Sequence, residues 1–192
     1  MIYVIVGPSH AGKTSFTVNS FMDPSAKLYK DIVWITECEK SFLIGNYCIE
    51  KRARGSDYIS RQDIVKIKDQ IQKLFETSPK DIVLEGDKIC SSKIMNKIME
   101  IGAPCKMYYI KCSLNTSIQR NMAFNSTVSR QLLQTVASKA RNLYQRYSGV
   151  FDGEYVETDD IRDFTKFCKD STDVVFHKGA VVDPGAEVLM TL

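Results

Sequence analysis

Nothing in this sequence is apolar for long enough to cross a membrane. No hydrophobic run approaches the roughly 20 residues that a spanning helix needs, and the apolar start of the chain lacks the layout of a secretory leader. The cysteines (Cys38, Cys48, Cys90, Cys105, Cys112 and Cys168) include no C-x-x-C pair, and His10 and His177 form no paired-ligand motif. Reduced thiols in a cytoplasmic protein, several of them in the core, are therefore expected over a zinc site. There is no internal repeat, no low-complexity tract and no linker composition that would split the chain. Strong charge is missing too: the net charge of +3 neither demands nor excludes a nucleic-acid partner.

What is present is 192 residues of ordinary composition, enough for one α/β domain with a sizeable core, expected to span 1–192. The organising stretch is Gly7-Pro8-Ser9-His10-Ala11-Gly12-Lys13-Thr14, which fits G-x-x-x-x-G-K-[ST]. Ile2 to Val6, apolar and β-branched, reads as a buried parallel strand ahead of it, and Ser15 onward opens a helix behind it. That strand–loop–helix context is what a phosphate-cradling P-loop requires. Gly7 and Gly12 permit the tight turn and bring backbone N–H groups to phosphate oxygens. Ser9, His10, Ala11 and Ser15 complete the cradle, and the helix start aims its positive end at the same anion. Lys13 supplies a mobile charge for the β- and γ-phosphates, and Thr14 a hydroxyl for Mg²⁺. ATP with Mg²⁺ is the expected ligand pair.

Further on, Asp31 to Thr36, Asp81 to Glu85 and Lys106 to Cys112 read as the second, third and fourth strands. Helices are expected after Ser60-Arg61-Gln62-Asp63, through the Ile94/Met95/Ile98/Met99 stripe, from Ser113 to Met122, and over 130–147 with Leu132, Leu133, Val136, Ala140, Leu143 and Tyr144 apolar. The expected fold is an open parallel P-loop NTPase sheet with helices on both faces. A weaker strand at Glu154 to Glu157 opens an additional C-terminal segment, about 150–192.

Glu85 and Asp87 stand at the carboxyl end of the third strand, where open α/β sheets place their ligands. Paired carboxylates beside a P-loop suit metal handling by Glu85 and general-base work by Asp87. The bland alternative is that Asp87 caps a helix and Glu85 is solvated. Arg52, Arg54 and Asp57 lie in a charged loop that either holds an acceptor phosphate or is merely solvated. Arg120, Arg130, Lys139 and Arg141 flank the polar stretch 123–129, which reads as a lid over about 120–131, with Arg120 and Arg130 as catalytic cations.

On the P-loop, on Arg52-Ala53-Arg54-Gly55-Ser56-Asp57-Tyr58-Ile59-Ser60, on Leu84-Glu85-Gly86-Asp87-Lys88, and on Ser129-Arg130-Gln131 with Lys139-Ala140-Arg141, the chain resembles the small P-loop kinases of tailed bacteriophages, relatives of the nucleotide kinases. Lys88 and Ser56 stand where that family often has Arg and Thr. The resemblance implies phosphoryl transfer from ATP to a nucleotide-like hydroxyl: some members act on the hydroxymethyl group of 5-hydroxymethyluracil in phage DNA, the acceptor expected here, and others on deoxynucleoside monophosphates. The expected setting is the cytoplasm of an infected host and the expected state a monomer or homodimer. The alternatives are a deoxynucleoside monophosphate kinase and a P-loop ATPase switch that is not a kinase.

Overall fold

The computed structural model describes residues 1–48, 55–123, 126 and 128–159, with the backbone alone at Tyr58. In chain order the elements are β1 (Ile2–Val6), α1 (Lys13–Phe21), β2 (Lys27–Lys30), β3 (Trp34–Glu37), β4 (Ser41–Ile44), a 3-10 turn (Ser56–Tyr58), α2 (Arg61–Ile64), α3 (Ile67–Thr77), β5 (Asp81–Glu85), α4 (Ser92–Glu100), β6 (Cys105–Lys111), α5 (Leu114–Ala123), α6 (Arg130–Tyr147) and β7 (Gly153–Glu157). The strands form one 7-stranded sheet in the order β2-β3-β4-β5-β1-β6-β7.

From β4 to β7 all neighbours are parallel. The helical crossovers between them cover both faces, so the strands are apolar on both sides. Ile2, Val4 and Val6 of β1 point to one face, with Ile82 and Leu84 of β5 and Phe42 and Ile44 of β4; Ile67, Ile71, Ile94, Met95, Ala140 and Tyr144 pack there from α3, α4 and α6. Ile5, Leu43, Val83 and Ile110 point to the other face, against Val18 of α1. The α/β P-loop architecture is as expected.

One edge departs from the expected parallel sheet. The second strand does not span Asp31 to Thr36; β2 and β3 pair antiparallel, as do β3 and β4. The turn between β2 and β3 lies inside the expected strand. Gln70 of α3, fully buried, holds that turn by accepting from the Ile32 and Val33 N–H groups at 3.0 and 3.2 Å. The parallel neighbour of β5 is β4, in a stretch without visible periodicity.

Smaller departures concern helix faces. Met99 and Leu132, expected in apolar stripes, are 41% and 50% exposed, and Phe75 on the helix after Ser60 is 36% exposed. Each lies at the margin of a stripe whose centre is buried: Met95 and Ile98 for α4, Leu133 and Val136 for α6, Ile71 and Leu74 for α3. The helix after Ser60 is interrupted between α2 and α3, with Val65 exposed at the break. Ser60 caps α2 as expected, its hydroxyl accepting from Asp63 N–H at 3.1 Å. Among the described residues no helix is long and apolar enough to cross a membrane.

Candidate functional site

The loop between β1 and α1 is shaped by what crowds it. At Gly7 (φ 156) an added Cβ would stand 2.3 Å from the Ile110 carbonyl oxygen of β6, so no side chain fits. Gly12 ends the loop in a left-handed conformation (φ 95, ψ 19) and caps α1 without any side-chain bond. The positive end of α1 therefore faces the loop with no side-chain cap from Gly12, the setting in which helix starts take anions. His10 is left-handed as well, at φ 59.

The loop carbonyls are tied down one after another. Lys13 Nζ donates to the Gly7 and Pro8 carbonyls at 3.1 and 2.7 Å. Ser117 Oγ of α5 donates to the Ser9 carbonyl. Arg120 Nη1 donates to the His10 carbonyl at 3.2 Å, and Thr158 Oγ1, just past β7, to the Ala11 carbonyl at 2.7 Å. In a trans peptide the N–H points away from the carbonyl. Holding these carbonyls therefore turns the N–H groups of His10 and Gly12 the opposite way, as an anion-binding nest needs.

Glu85 lies beside this loop because of sheet register: it is paired with Ile5, two residues before Gly7. It is 4% exposed. Its Oε2 accepts from Thr14 Oγ1 at 3.2 Å and from Tyr47 OH at 3.1 Å. Burial pushes the carboxyl above its ordinary value, while the Lys13 charge and the two hydroxyls pull it back. Burial, reinforced by Glu85, holds the Tyr47 phenol well above its ordinary value, so Tyr47 keeps its proton and donates.

The structure packs Gly55-Ser56 and Glu85-Gly86 on each other. A Cβ at Gly55 would stand 2.5 Å from Glu85 Oε2, and one at Gly86 would stand 2.5 Å from Ser56 Oγ. A side chain at either position would push these side-chain tips aside, and φ is positive at both. Asn46 and Gly55 form an isolated bridge that anchors the far end of the charged loop. Asp87 follows Gly86 (φ 100) in an exposed turn. Asp57 is exposed; Lys88 is ion-paired to its carboxylate at 3.6 Å and donates to its carbonyl at 3.3 Å.

Arg52 and Arg54 lie outside the described residues, as does part of 123–129. Arg120, expected on a lid, is instead 4% exposed beneath the P-loop, bonded to His10 and also to Thr158. The physical reason is its place on α5: it shares a helix face with Ser117, and that face packs on the loop. Arg130, Lys139 and Arg141 are exposed on α6; burial raises the Tyr109 phenol of β6, and the Arg141 charge pulls it down against that rise. Tyr47, Ser117 and Thr158 were not singled out in the sequence. They belong to no motif, and small hydroxyl residues give no signal.

Thr14 and Glu85, the expected metal pair, are brought together. A hydroxyl that offers its oxygen to a cation must send its proton elsewhere, and Glu85 Oε2 accepts it. Among the described residues no group of three or more His, Cys, Asp or Glu is arranged to hold an ion. A Mg²⁺ here would rely on Thr14, Glu85, water and substrate phosphates, the ligand set that this ion usually takes beside a nucleotide. Among the described cysteines all are free thiols, and Cys90 is held far above its ordinary pKa by burial, then by Glu85.

No protein-family model matches the chain, and no curated protein matches it in sequence. Among solved structures, a deoxyadenosine kinase from M. mycoides with the products dCMP and a flexible dCDP bound aligns at 11% identity over 92% of this chain and 100% of that one, with a TM-score of 0.43. The same enzyme with bound dATP aligns at 11% identity over 90% of this chain and 100% of that one, with a TM-score of 0.42. At such scores no function passes from those enzymes to this chain; the P-loop fold stands on the chain's own strand order, loop and site geometry.

Proposed function

We propose that this chain is a phosphotransferase that moves the γ-phosphoryl group of Mg²⁺-bound ATP to a primary hydroxyl, with 5-hydroxymethyluracil in DNA as acceptor. The observation that carries the reading is the meeting of Thr14 and Glu85 at 3.2 Å beside a tethered phosphate loop. Mg²⁺ supplies neutralisation of phosphate charge. Lys13, now on the Gly7 and Pro8 carbonyls, is positioned to swing onto the β- and γ-phosphates. Glu85 keeps the Thr14 proton off the metal side. Asp87, exposed just beyond Gly86, orients the acceptor hydroxyl and takes its proton as the new P–O bond forms and the bond to the ADP oxygen breaks.

The DNA acceptor is supported by the Gly55-Ser56-Asp57 and Glu85-Gly86-Asp87 segments that carry the resemblance, together with the openness of Asp87 and Asp57 to solvent, which suits an acceptor held in a large molecule. The test is to supply γ-labelled ATP with 5-hydroxymethyluracil DNA, unmodified DNA and a panel of deoxynucleoside monophosphates. Label in the modified DNA alone is expected. Label in a monophosphate would make the chain a free-nucleotide kinase. ATP hydrolysis with no labelled acceptor would make it a switch.

A further inference from the structure

Tyr47 is not needed by any step above, yet among the described residues it is the largest fully buried side chain, and its hydroxyl reaches the same Glu85 oxygen as Thr14. Its backbone is fixed as well: Tyr47 N–H donates to Thr36 Oγ1 at 3.0 Å, and Thr36 Oγ1 donates to the Gly45 carbonyl at 3.0 Å. On its remaining side Gly55 approaches so closely that a Cβ would stand 3.1 Å from the Tyr47 ring as well as 2.5 Å from Glu85 Oε2. Glu85 Oε2 is thus enclosed by a P-loop hydroxyl, a core phenol and the end of the charged loop.

We propose that Tyr47 is the positioning residue of the site: it pins Glu85 against Thr14, so that Mg²⁺ meets a preformed pair, and with Gly55 it joins the metal side of the cleft to the acceptor-side loop. The proposal rests on the phosphotransferase reading and deepens it. A carboxylate held by one hydroxyl can rotate about its last torsion, which is broad. Two hydroxyls converging on one oxygen remove that freedom. An outer partner that orients a metal-handling carboxylate is commonly worth 10–100-fold in metal affinity or activity.

The decisive variant is Tyr47→Phe, which keeps the ring and removes one donor. Gly55→Ala is a poorer probe, since it also strains a backbone at φ 50, ψ −131. Two readouts are needed: Mg²⁺ binding to the complex with a non-hydrolysable ATP analogue, by titration calorimetry, and turnover against Mg²⁺ concentration. We expect Tyr47→Phe to weaken Mg²⁺ binding by about tenfold or more, to leave metal-free nucleotide affinity unchanged, and to recover kcat at saturating Mg²⁺. Glu85→Gln should weaken Mg²⁺ binding likewise, and the double variant should lose little beyond Glu85→Gln alone, since both act through one oxygen. Wild-type Mg²⁺ dependence in Tyr47→Phe overturns the proposal. So does a loss confined to thermal stability, or one fully additive with Glu85→Gln. Failure of the underlying reading looks different: Lys13→Ala would then bind the analogue like the wild type, whatever Tyr47→Phe does.

Discussion

Lys13 and Asp87 are separated by their surroundings as much as by their chemistry. Lys13 is 8% exposed and already bonded to its own loop, whereas Asp87 stands in water. If the chain is a phosphotransferase, Lys13→Ala removes the charge meant for the β- and γ-phosphates and should lower turnover by at least about 10²-fold, with the circular-dichroism spectrum unchanged. Asp87→Asn keeps the size and one acceptor oxygen but loses basicity. A fall in kcat of roughly 10²–10⁴ is expected, with ATP affinity, measured by titration, nearly intact. If Asp87→Asn keeps its rate while Glu85→Gln loses it at saturating Mg²⁺, the base is Glu85. Burial raises the Glu85 carboxyl, which would favour such a role, but its oxygen is committed to two hydroxyl donors, so metal handling is the better assignment.

At the scale of elements, α5 is a buttress. Ser117 and Arg120 project from one face onto consecutive P-loop carbonyls, and Thr158 reaches the next from beyond β7. Arg120→Ala should therefore lower the thermal midpoint and weaken ATP binding together, because a hydrogen bond from a charged group contributes about 1.5–3 kcal/mol. A lid arginine would instead lower kcat alone, so steady-state kinetics with a melting curve separates the two roles. The antiparallel edge is held by carboxylates. Asp31 lies below its ordinary value chiefly because of Lys73, then Gln70; Asp63 does so chiefly because of Ser60. A depressed folded pKa means that the unfolded chain takes up protons first. This stabilisation is present above about pH 4 and is lost as pH falls through that value into the folded range. Melting curves from pH 7 to pH 3 should show the decline, and Asp31→Asn should flatten part of it.

For the whole molecule, a nest pre-aimed at an anion implies that ligand stabilises the native state. At a hundredfold excess over its dissociation constant, Mg²⁺-ATP adds about 2.7 kcal/mol, which in a chain of this size raises the melting temperature by roughly 5–10 °C. Differential scanning fluorimetry should show that rise in the wild type and its loss in Lys13→Ala. A flat response in the wild type would remove nucleotide binding altogether.

Where neighbouring residues alone make a structure, the chain could be read without its fold. The P-loop is one run of eight residues bounded by a strand and a helix, β1 and β5 were legible to the residue, and α6 was legible from its apolar spacing. The pairing of Glu85 with Thr14 was foreseeable from the rule that ligands sit at the carboxyl ends of parallel strands. The edge strands were not, because each of β2, β3 and β4 has 4 residues, too few for a period to show. Nor was the support of the site. Tyr47 meets Glu85 across 38 positions of sequence, Ser117 meets Ser9 across 108 and Thr158 meets Ala11 across 147. Such contacts follow from strand order and register, and a lone tyrosine, serine or threonine has nothing in its own neighbourhood to announce them. The sequence alone determined the phosphate-loop motif and its place between a strand and a helix; only the tertiary structure decided what holds the loop and the carboxylate still, because rigidity comes from distant groups packed together.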